Sequence, residues 1–260
     1  MLYLMLEFSV HEDRDIEQAS PWRIPMIFDP LYFVFAIPGM LFAFWAQWYV
    51  KSTFSKYANV ANMHNMNGFA VAQRLMNAEG LNYVRVNQVA GQLTDFYNPA
   101  DKSINISQSS VNPSVAAMAV VAHELGHALQ DREGYAMLRL RSSIVGIANI
   151  GSNIGTWLVM LGLMFGAASR SGGIGFTMAL IGLVLFAGAV LFTLVTLPVE
   201  FNASSRAKKM LIANGLVSPQ DQAAVSKVLN AAAWTYVASA AQSILTFAYF
   251  AFRVFGGRRD

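Results

Sequence analysis

The chain has 260 residues, a net charge of +3 and no cysteine, and 55% of it is hydrophobic while 13% is charged. Soluble domains carry about 25% charged residues, so this composition predicts a protein embedded in a membrane. The small net charge and the lack of a dense run of Lys and Arg argue against a nucleic-acid partner. Without cysteine, disulfides, thiolate metal sites and a cysteine nucleophile are excluded.

The first apolar segment predicts a membrane-spanning helix close to the N-terminus. Residues 31–50 contain no charge, and aromatic side chains crowd both ends of this stretch, where lipid headgroups would lie. Residues 1–30 are predicted to form a short exposed or interfacial segment. They have no basic residue ahead of their apolar start and run into an acidic stretch, unlike a signal peptide.

Residues 51–141 form a polar region in which we expect a small α+β domain. Apolar residues at helical spacing over 67–78, followed by Gly80, predict a helix and its end. Alternation of apolar and polar residues predicts strands over 83–86 and 103–107.

A longer helix is expected after these strands. Asn112 is predicted to cap it and Pro113 to take its first position, and it should run to about Gln130. The strand over 103–107, just before this helix, could pair with an extended peptide substrate by strand addition. A strand followed by a helix is the order in which zinc peptidases carry their metal-binding motif.

Residues 144–199 predict a transmembrane hairpin, because they contain two uncharged stretches joined by a short connection over 169–173. A polar segment over 200–230 follows. The C-terminal segment over 231–260 contains a fourth apolar stretch over 231–252 and a basic tail. Several hydroxyl and amide groups interrupt this stretch, so a helix buried at the membrane surface is its alternative.

These segments together predict an α-helical integral membrane protein with about four transmembrane helices and a small α+β zincin-like polar domain. An even number of spans separates the two polar regions, so both are expected on the same side of the membrane. Basic residues flanking the spans are more frequent on that side, which favours the cytoplasm by the positive-inside rule. We therefore expect a multi-pass protein of the cell membrane with its polar regions in the cytoplasm.

The longer helix of the polar region carries the sequence HELGH, in which His123, Glu124 and His127 form an HExxH motif. Residues four apart lie on one face of a helix, so both imidazoles can reach one metal ion. Zinc suits such a pair of nitrogen ligands. Glu124 is expected to act as general base toward a water that zinc activates. The motif therefore predicts a hydrolytic zinc site.

A third protein ligand is needed, and no cysteine can supply it. Glu200 is the best candidate, because it ends the third apolar stretch on the same side as the motif and completes a set of two His and one Glu. Glu133 stands where a third His follows the motif in another class of zinc peptidase, and it is an alternative together with His64. Without a metal, Glu200 could instead pair with Arg206.

Several segments resemble the YugP-type neutral zinc metallopeptidases, a family of membrane-bound proteins. The resemblance covers nearly the whole chain from Phe28 onward and rests on the segments FDP, LTDFYNP, AHELGHALQ and LPVEFNASSRA. The last two, at their separation around a membrane hairpin, are quite specific. The resemblance implies a gluzincin-like site in which His123, His127 and Glu200 bind zinc.

The chain departs from the family pattern at three positions. The family often has His where this chain has Phe96, and Asp where it has Asn98 and Asn202. If such a His or Asp serves catalysis or supports a ligand, we expect weaker activity here. Asp95 is present, and we expect it either to orient a ligand imidazole or, as the more frequent role, to cap a turn.

Together these features predict a membrane-bound zinc endopeptidase that hydrolyses peptide bonds of a peptide or protein substrate, with Glu124 as the catalytic residue and Zn²⁺ as cofactor. The alternative is a non-enzymatic membrane scaffold or assembly factor with a structural metal. An open coordination position would favour the enzyme, and a fourth protein ligand the scaffold. Polar residues just beyond the motif argue against cleavage inside the bilayer and favour a site at its surface.

Overall fold

The computed structural model describes residues 29–166 and 173–256, so the predictions for residues 1–28, 167–172 and 257–260 lie outside the described residues. The fold is mostly helical, with one small sheet. The α-helices are α1 (Pro30–Ala58), α2 (Gly68–Glu79), α3 (Val115–Arg132), α4 (Ala136–Ile150), α5 (Thr156–Met164), α6 (Ile174–Ala213) and α7 (Pro219–Phe255), and the strands are β1 (Arg85–Val89), β2 (Phe96–Asn98) and β3 (Ser103–Ser107). A π-helical turn, Gly151–Gly155, continues α4 into α5.

Four helices of the described chain are long and apolar enough to cross a membrane: α1, α4 continued by α5, α6, and α7. Each is longer than the apolar stretch that predicted it, because its polar end continues into the polar region. α6 has 40 residues and passes through Glu200 without interruption. α7 has 37 residues, so the fourth apolar stretch belongs to a helix that meets the same criterion of length and hydropathy.

Glycines let α5 and α6 pack with their backbones close together. A Cβ added at Gly182 would lie 2.6 Å from the backbone nitrogen of Val159, and one at Gly175 would lie 2.8 Å from the carbonyl oxygen of Gly162. Small residues at such positions allow apolar helices to associate where lipid provides no hydrophobic drive. This tight pair supports the apolar part of α6 and thereby its polar extension.

A buried acidic group links the start of α1 to the end of α7. The Asp29 carboxylate accepts hydrogen bonds from the Leu31 backbone N–H at 3.0 Å, which caps α1, and from the Tyr249 hydroxyl at 2.9 Å. It also pairs with the Arg253 guanidinium at 3.2 Å. Because a buried carboxylate without partners is costly, these contacts fix the two helices against each other.

The polar region builds the main hydrophobic core together with the polar ends of α6 and α7. α2 follows the prediction closely. The Asn67 side chain accepts a hydrogen bond from the Ala70 N–H at its start, and Gly80 ends it with a left-handed φ of 66°. Glycine adopts this conformation without strain, so the stop signal in the sequence was correct.

The start of α3 differs from the prediction. The helix begins at Val115, and the Ser114 hydroxyl caps it by accepting from the Ala117 N–H. Ser114 pairs with Ala61 in an isolated antiparallel bridge, and this long-range contact keeps the chain extended up to Ser114. The predicted cap at Asn112 is therefore wrong, because a tertiary contact overrides the local signal.

The three strands have the order β1-β3-β2, with β1 parallel and β2 antiparallel to β3. The strand predicted over 103–107 is confirmed as β3. The one predicted over 83–86 forms two residues later as β1, and β2 was not predicted. Since β3 is the central strand with both edges paired, the proposed addition of a substrate strand to residues 103–107 is wrong.

We expect Asp29→Asn to lower the free energy of unfolding by about 3 kcal/mol, because the neutral amide can still cap α1 but leaves Arg253 without its buried partner. Tyr249→Phe removes a single neutral donor and should cost only about 1 kcal/mol. Denaturant unfolding in detergent micelles compares the variants. Equal stability of wild type and Asp29→Asn would show that the ion pair contributes nothing.

Candidate metal centre

α3 and α6 bring together three side chains that could bind a metal ion. His123 and His127 lie one turn apart on α3, and Glu200 lies where the apolar part of α6 ends. The Glu200 Oε2 atom is 3.1 Å from His123 Nε2 and 3.5 Å from His127 Nε2. One possible ligand atom from each residue falls within 4.8 Å of the other two. The three residues named from the sequence thus meet in space.

α6 can reach the histidines because α3 has no side chain at Gly126. A Cβ there would lie 2.5 Å from the carbonyl oxygen of Ala203 and 3.1 Å from its carbonyl carbon. Both are backbone atoms that cannot rotate away. The two helices therefore cross with their backbones in contact, and Glu200, about one turn before Ala203, lies over the imidazoles.

A buried amide orients the His127 imidazole. The Nε2 group of Gln130 donates to the Val199 carbonyl oxygen at 2.8 Å and to Asn202 Oδ1 at 2.9 Å. Its Oε1 atom is therefore the acceptor for His127 Nδ1, 3.0 Å away. Because Nδ1 carries the proton in this bond, Nε2 is the nitrogen free to bind a metal, and Nε2 is the atom that faces Glu200.

A hydroxyl group of α6 orients the His123 imidazole. Its Nδ1 atom lies 3.1 Å from the hydroxyl of Ser204. Neither Ser204 nor Gln130 was identified from the sequence, although a signal existed. Ser204 follows Glu200 by four residues and Gln130 follows His127 by three, so each shares a helical face with a ligand.

The Glu124 carboxylate lies beside the two imidazoles and is 8% exposed. Its Oε2 atom accepts a hydrogen bond from the backbone N–H of Tyr97 at 2.9 Å, so β2 fixes its position. Burial raises the pKa of Glu124 above its usual value, although the neighbouring imidazoles act in the opposite direction. A raised pKa makes this carboxylate a stronger base than an exposed one.

The alternative ligands lie elsewhere. The carboxylate of Glu133, at the end of α3, pairs with Arg206 at 2.7 Å. His64 Nε2 lies 2.9 Å from a backbone carbonyl oxygen between α6 and α7. The oxygens of Asp95 accept from the backbone N–H and the hydroxyl of Ser107, at 2.8 and 2.6 Å, so Asp95 fastens a loop and orients no imidazole.

The structure also describes the surroundings of the three residues that depart from the family pattern. Asn202 accepts from Gln130 and, at 2.7 Å, from Arg206, so its amide oxygen supports the residue that orients His127. Asn98 accepts from the backbone N–H of Ala100 in a turn. Phe96 is 46% exposed at the start of β2.

A phenol from α7 forms a further side of the centre. α6 and α7 run antiparallel, and the ring of Phe186 on α6 lies 5.5 Å from the ring of Phe250 on α7. Glu200 follows Phe186 along α6 by as many residues as Tyr236 precedes Phe250 along α7. Tyr236 therefore lies at the level of Glu200, and the two side chains interact electrostatically. Arg141 of α4 interacts with the same phenol, and its buried Nε has no hydrogen-bond partner. No short-range pattern in the sequence pointed to Tyr236.

The donor set fits zinc. Two imidazole nitrogens and one carboxylate oxygen are a known catalytic zinc set, whereas calcium requires six to eight oxygens. The cluster also attracts positive charge. Burial lowers the pKa of His127, but the hydrogen bond and charge of Glu200 outweigh it, so the net shift is upward. In the part of the chain that the structure describes, no fourth His, Asp or Glu joins the three.

Comparison with known proteins agrees with this chemistry. The family model described as "Putative neutral zinc metallopeptidase" matches residues 32–254. The chain belongs to this family. A relative from Bacillus subtilis (strain 168), "Putative membrane protease YugP", is 38% identical over 231 residues, which cover 88% of this chain and 99% of the relative. No solved structure gives a significant match.

We expect Gly126→Ala to destabilise this family member by about 1–3 kcal/mol, because the added methyl group meets the α6 backbone and must push the helices apart. Gly146→Ala is the matched control, since a Cβ at Gly146 in α4 meets nothing within 4 Å. Denaturant unfolding in detergent compares the two variants. Equal stability would mean that the contact at Ala203 is not as close as described.

Proposed function

We propose that this chain is a multi-pass membrane protein and a zinc-dependent endopeptidase whose metal is bound by His123, His127 and Glu200. Family membership supports zinc and peptide hydrolysis, and the relative's name supports action at a membrane. The observation that carries the proposal is the convergence of three ligand atoms within 4.8 Å beside the buried carboxylate of Glu124. A metal site and a base in one place are the minimum that this reaction needs.

Zinc bound at this site would polarise a peptide carbonyl and lower the pKa of a water molecule. Glu124 takes a proton from the attacking water and delivers it to the leaving amine nitrogen. Its hydrogen bond from the Tyr97 N–H aims the carboxylate at the imidazoles and leaves its other oxygen available. Gln130 and Ser204 hold the two imidazoles in the orientation that binding of zinc requires.

The Tyr236 phenol of α7 lies beside Glu200, which belongs to α6. Glu124 belongs to α3. This arrangement gives the site a base from one helix and a hydrogen-bond donor from another. A peptide carbonyl oxygen gains negative charge as water adds to its carbon, and a phenol O–H stabilises that charge.

A scaffold with a structural metal is less well supported. Structural zinc sites are closed by four protein ligands. Only three candidate ligands converge among the described residues. A structural site would also have no use for the buried, hydrogen-bonded carboxylate of Glu124. The enzyme hypothesis therefore gives every group of the cluster a role, whereas the scaffold hypothesis leaves Glu124 without one.

The proposed site lies at the membrane surface on the cytoplasmic side. Glu200 stands where the apolar part of α6 ends, and the histidines belong to the polar region. Basic residues near the helix ends on this side support the cytoplasmic orientation. They are Lys51, Lys56, Arg132, Arg139, Arg141, Arg206, Lys208 and Lys209.

We expect Glu124→Gln to keep zinc and lose about two to four orders of magnitude in turnover, because it removes the proton acceptor. Casein cleavage and zinc stoichiometry of the detergent-purified protein are measured together. Glu79→Gln is the matched control, since it makes the same change at the end of α2, which contributes no residue to the cluster. Turnover retained by zinc-loaded Glu124→Gln would rule out this role for Glu124.

We expect Glu200→Ala to lower zinc affinity by more than the roughly 100-fold that loss of an outer-shell partner can cost, because only two imidazoles are left. Glu133→Ala should retain wild-type affinity. Zinc retained against a competing chelator gives the affinities, and thermal unfolding with and without chelator gives the metal-dependent stability. If Glu200→Ala keeps both its zinc affinity and its metal-dependent stability, Glu200 is not a ligand.

A further inference from the structure

α1 and α6 both pack on α7, and a cleft runs along the contact between α1 and α7. α1 meets α7 where Gly39 lies against Gln242, and α6 meets it at the ring pair of Phe186 and Phe250. Residues of α1 and α7 line a cavity of about 290 Å³. Its polar lining comes from Gln47 of α1 and from Thr235, Ser239, Gln242 and Ser243 of α7.

The cleft presents hydrogen-bond acceptors. The hydroxyls of Thr235 and Ser243 donate to carbonyl oxygens of their own helix at 2.7 and 2.9 Å, and the Gln242 amide donates to Thr246 at 3.2 Å. Their donors are therefore used, while their oxygens retain lone pairs. The Gln242 Oε1 atom also has no partner, but it is buried against Gly39 of α1 and is not exposed to the cleft. Such polar groups within an apolar helix are costly, which marks them as functional.

One end of the cleft lies level with the metal centre along α7. Thr235 and Gln47 line this end, and the next residue of α7, Tyr236, interacts with Glu200. The other end, at Ser243, lies about 12 Å away along α7 at 1.5 Å per residue. It is within the helix segment that can span a membrane. The cleft thus extends along α7 from the apolar zone to the level of the site.

We propose that this cleft binds the end of a transmembrane helix of a membrane-protein substrate and leads its chain to the metal centre. The inference rests on the proposed function and names the substrate class. Hydrolysis needs an extended backbone, so the last turn of such a helix must unwind. Unwinding frees backbone N–H and C=O groups, and the N–H donors are costly in apolar surroundings unless protein groups accept them. The acceptors of the cleft fit those donors.

Other occupants fit less well. A lipid phosphate needs cationic partners, and no Lys or Arg lines the cavity. A lipid chain needs an apolar surface and would leave the lone pairs of the Thr235 and Ser243 hydroxyls without a donor. A soluble peptide reaches the centre from water, where its N–H groups are already hydrated. The lining therefore favours a chain that arrives from within the bilayer.

The test uses one casein segment in two forms, free and fused to a Leu–Ala helix of about 20 residues, the length that spans a bilayer. The protein is reconstituted in lipid bilayers. Ser239→Leu fills the floor of the cleft, and we expect it to lower kcat/KM for the anchored form about tenfold through steric overlap. The free form should keep its wild-type kcat/KM, which also shows that the variant is folded. Ser152→Leu, the same change at an exposed position of the π-helical turn, is the control.

A second measurement needs no turnover. A photo-crosslinker at position 239 of the Glu124→Gln protein should capture the anchored helix, and one at position 152 should not. The inference would be overturned if Ser239→Leu lowered kcat/KM equally for both substrate forms or for neither. It would also be overturned if Ser152→Leu lowered kcat/KM for the anchored form by the same factor. Absence of the crosslink at position 239 would likewise overturn it. A crosslink without cleavage of either form by the wild type would retain the binding site and refute the proposed peptidase.

Discussion

The crossing of α3 and α6 at Gly126 is the contact on which the rest of the candidate site depends. It brings the α6 backbone at Ala203 against α3, and only then can the Glu200 carboxylate lie 3.1 Å from His123 and 3.5 Å from His127. The same crossing brings Gln130 to the Val199 carbonyl oxygen. Since α6 continues into the apolar zone, a metal bound here would tie the polar region to the helices proposed to span the membrane.

Local signals predicted the parts of the fold and the site that depend on local structure. The helix that carries His123 and His127, the stop at Gly80 and the strand β3 follow from spacing and composition over a few residues. Glu200 could be named because few carboxylates were available after the motif. The family resemblance added the same ligand set, and the chain proved to belong to that family.

Parts formed by long-range contacts could not be read from such signals. β2 has three residues, too few for a periodic pattern, and exists because it pairs with β3 and because Tyr97 donates to Glu124. The cap of α3 moved to Ser114 because that residue pairs with Ala61. Tyr236 lies far from the motif along the chain, and only the packing of α7 on α6 brings it to Glu200.

Unpaired hydrogen-bonding groups separate the structural polar residues from those available to a ligand. Gln130 uses both its amide nitrogen and its oxygen, and Asp95 uses both carboxylate oxygens, so each has a complete structural role. Arg141 and Gln242 differ, because each has a buried atom without a partner. Arg141 interacts electrostatically with the Tyr236 phenol, whereas the Gln242 oxygen is packed against Gly39 of α1. A buried polar atom without a partner costs stability unless function requires it. Of these two residues, Arg141 is the one that interacts with a group at the candidate metal centre.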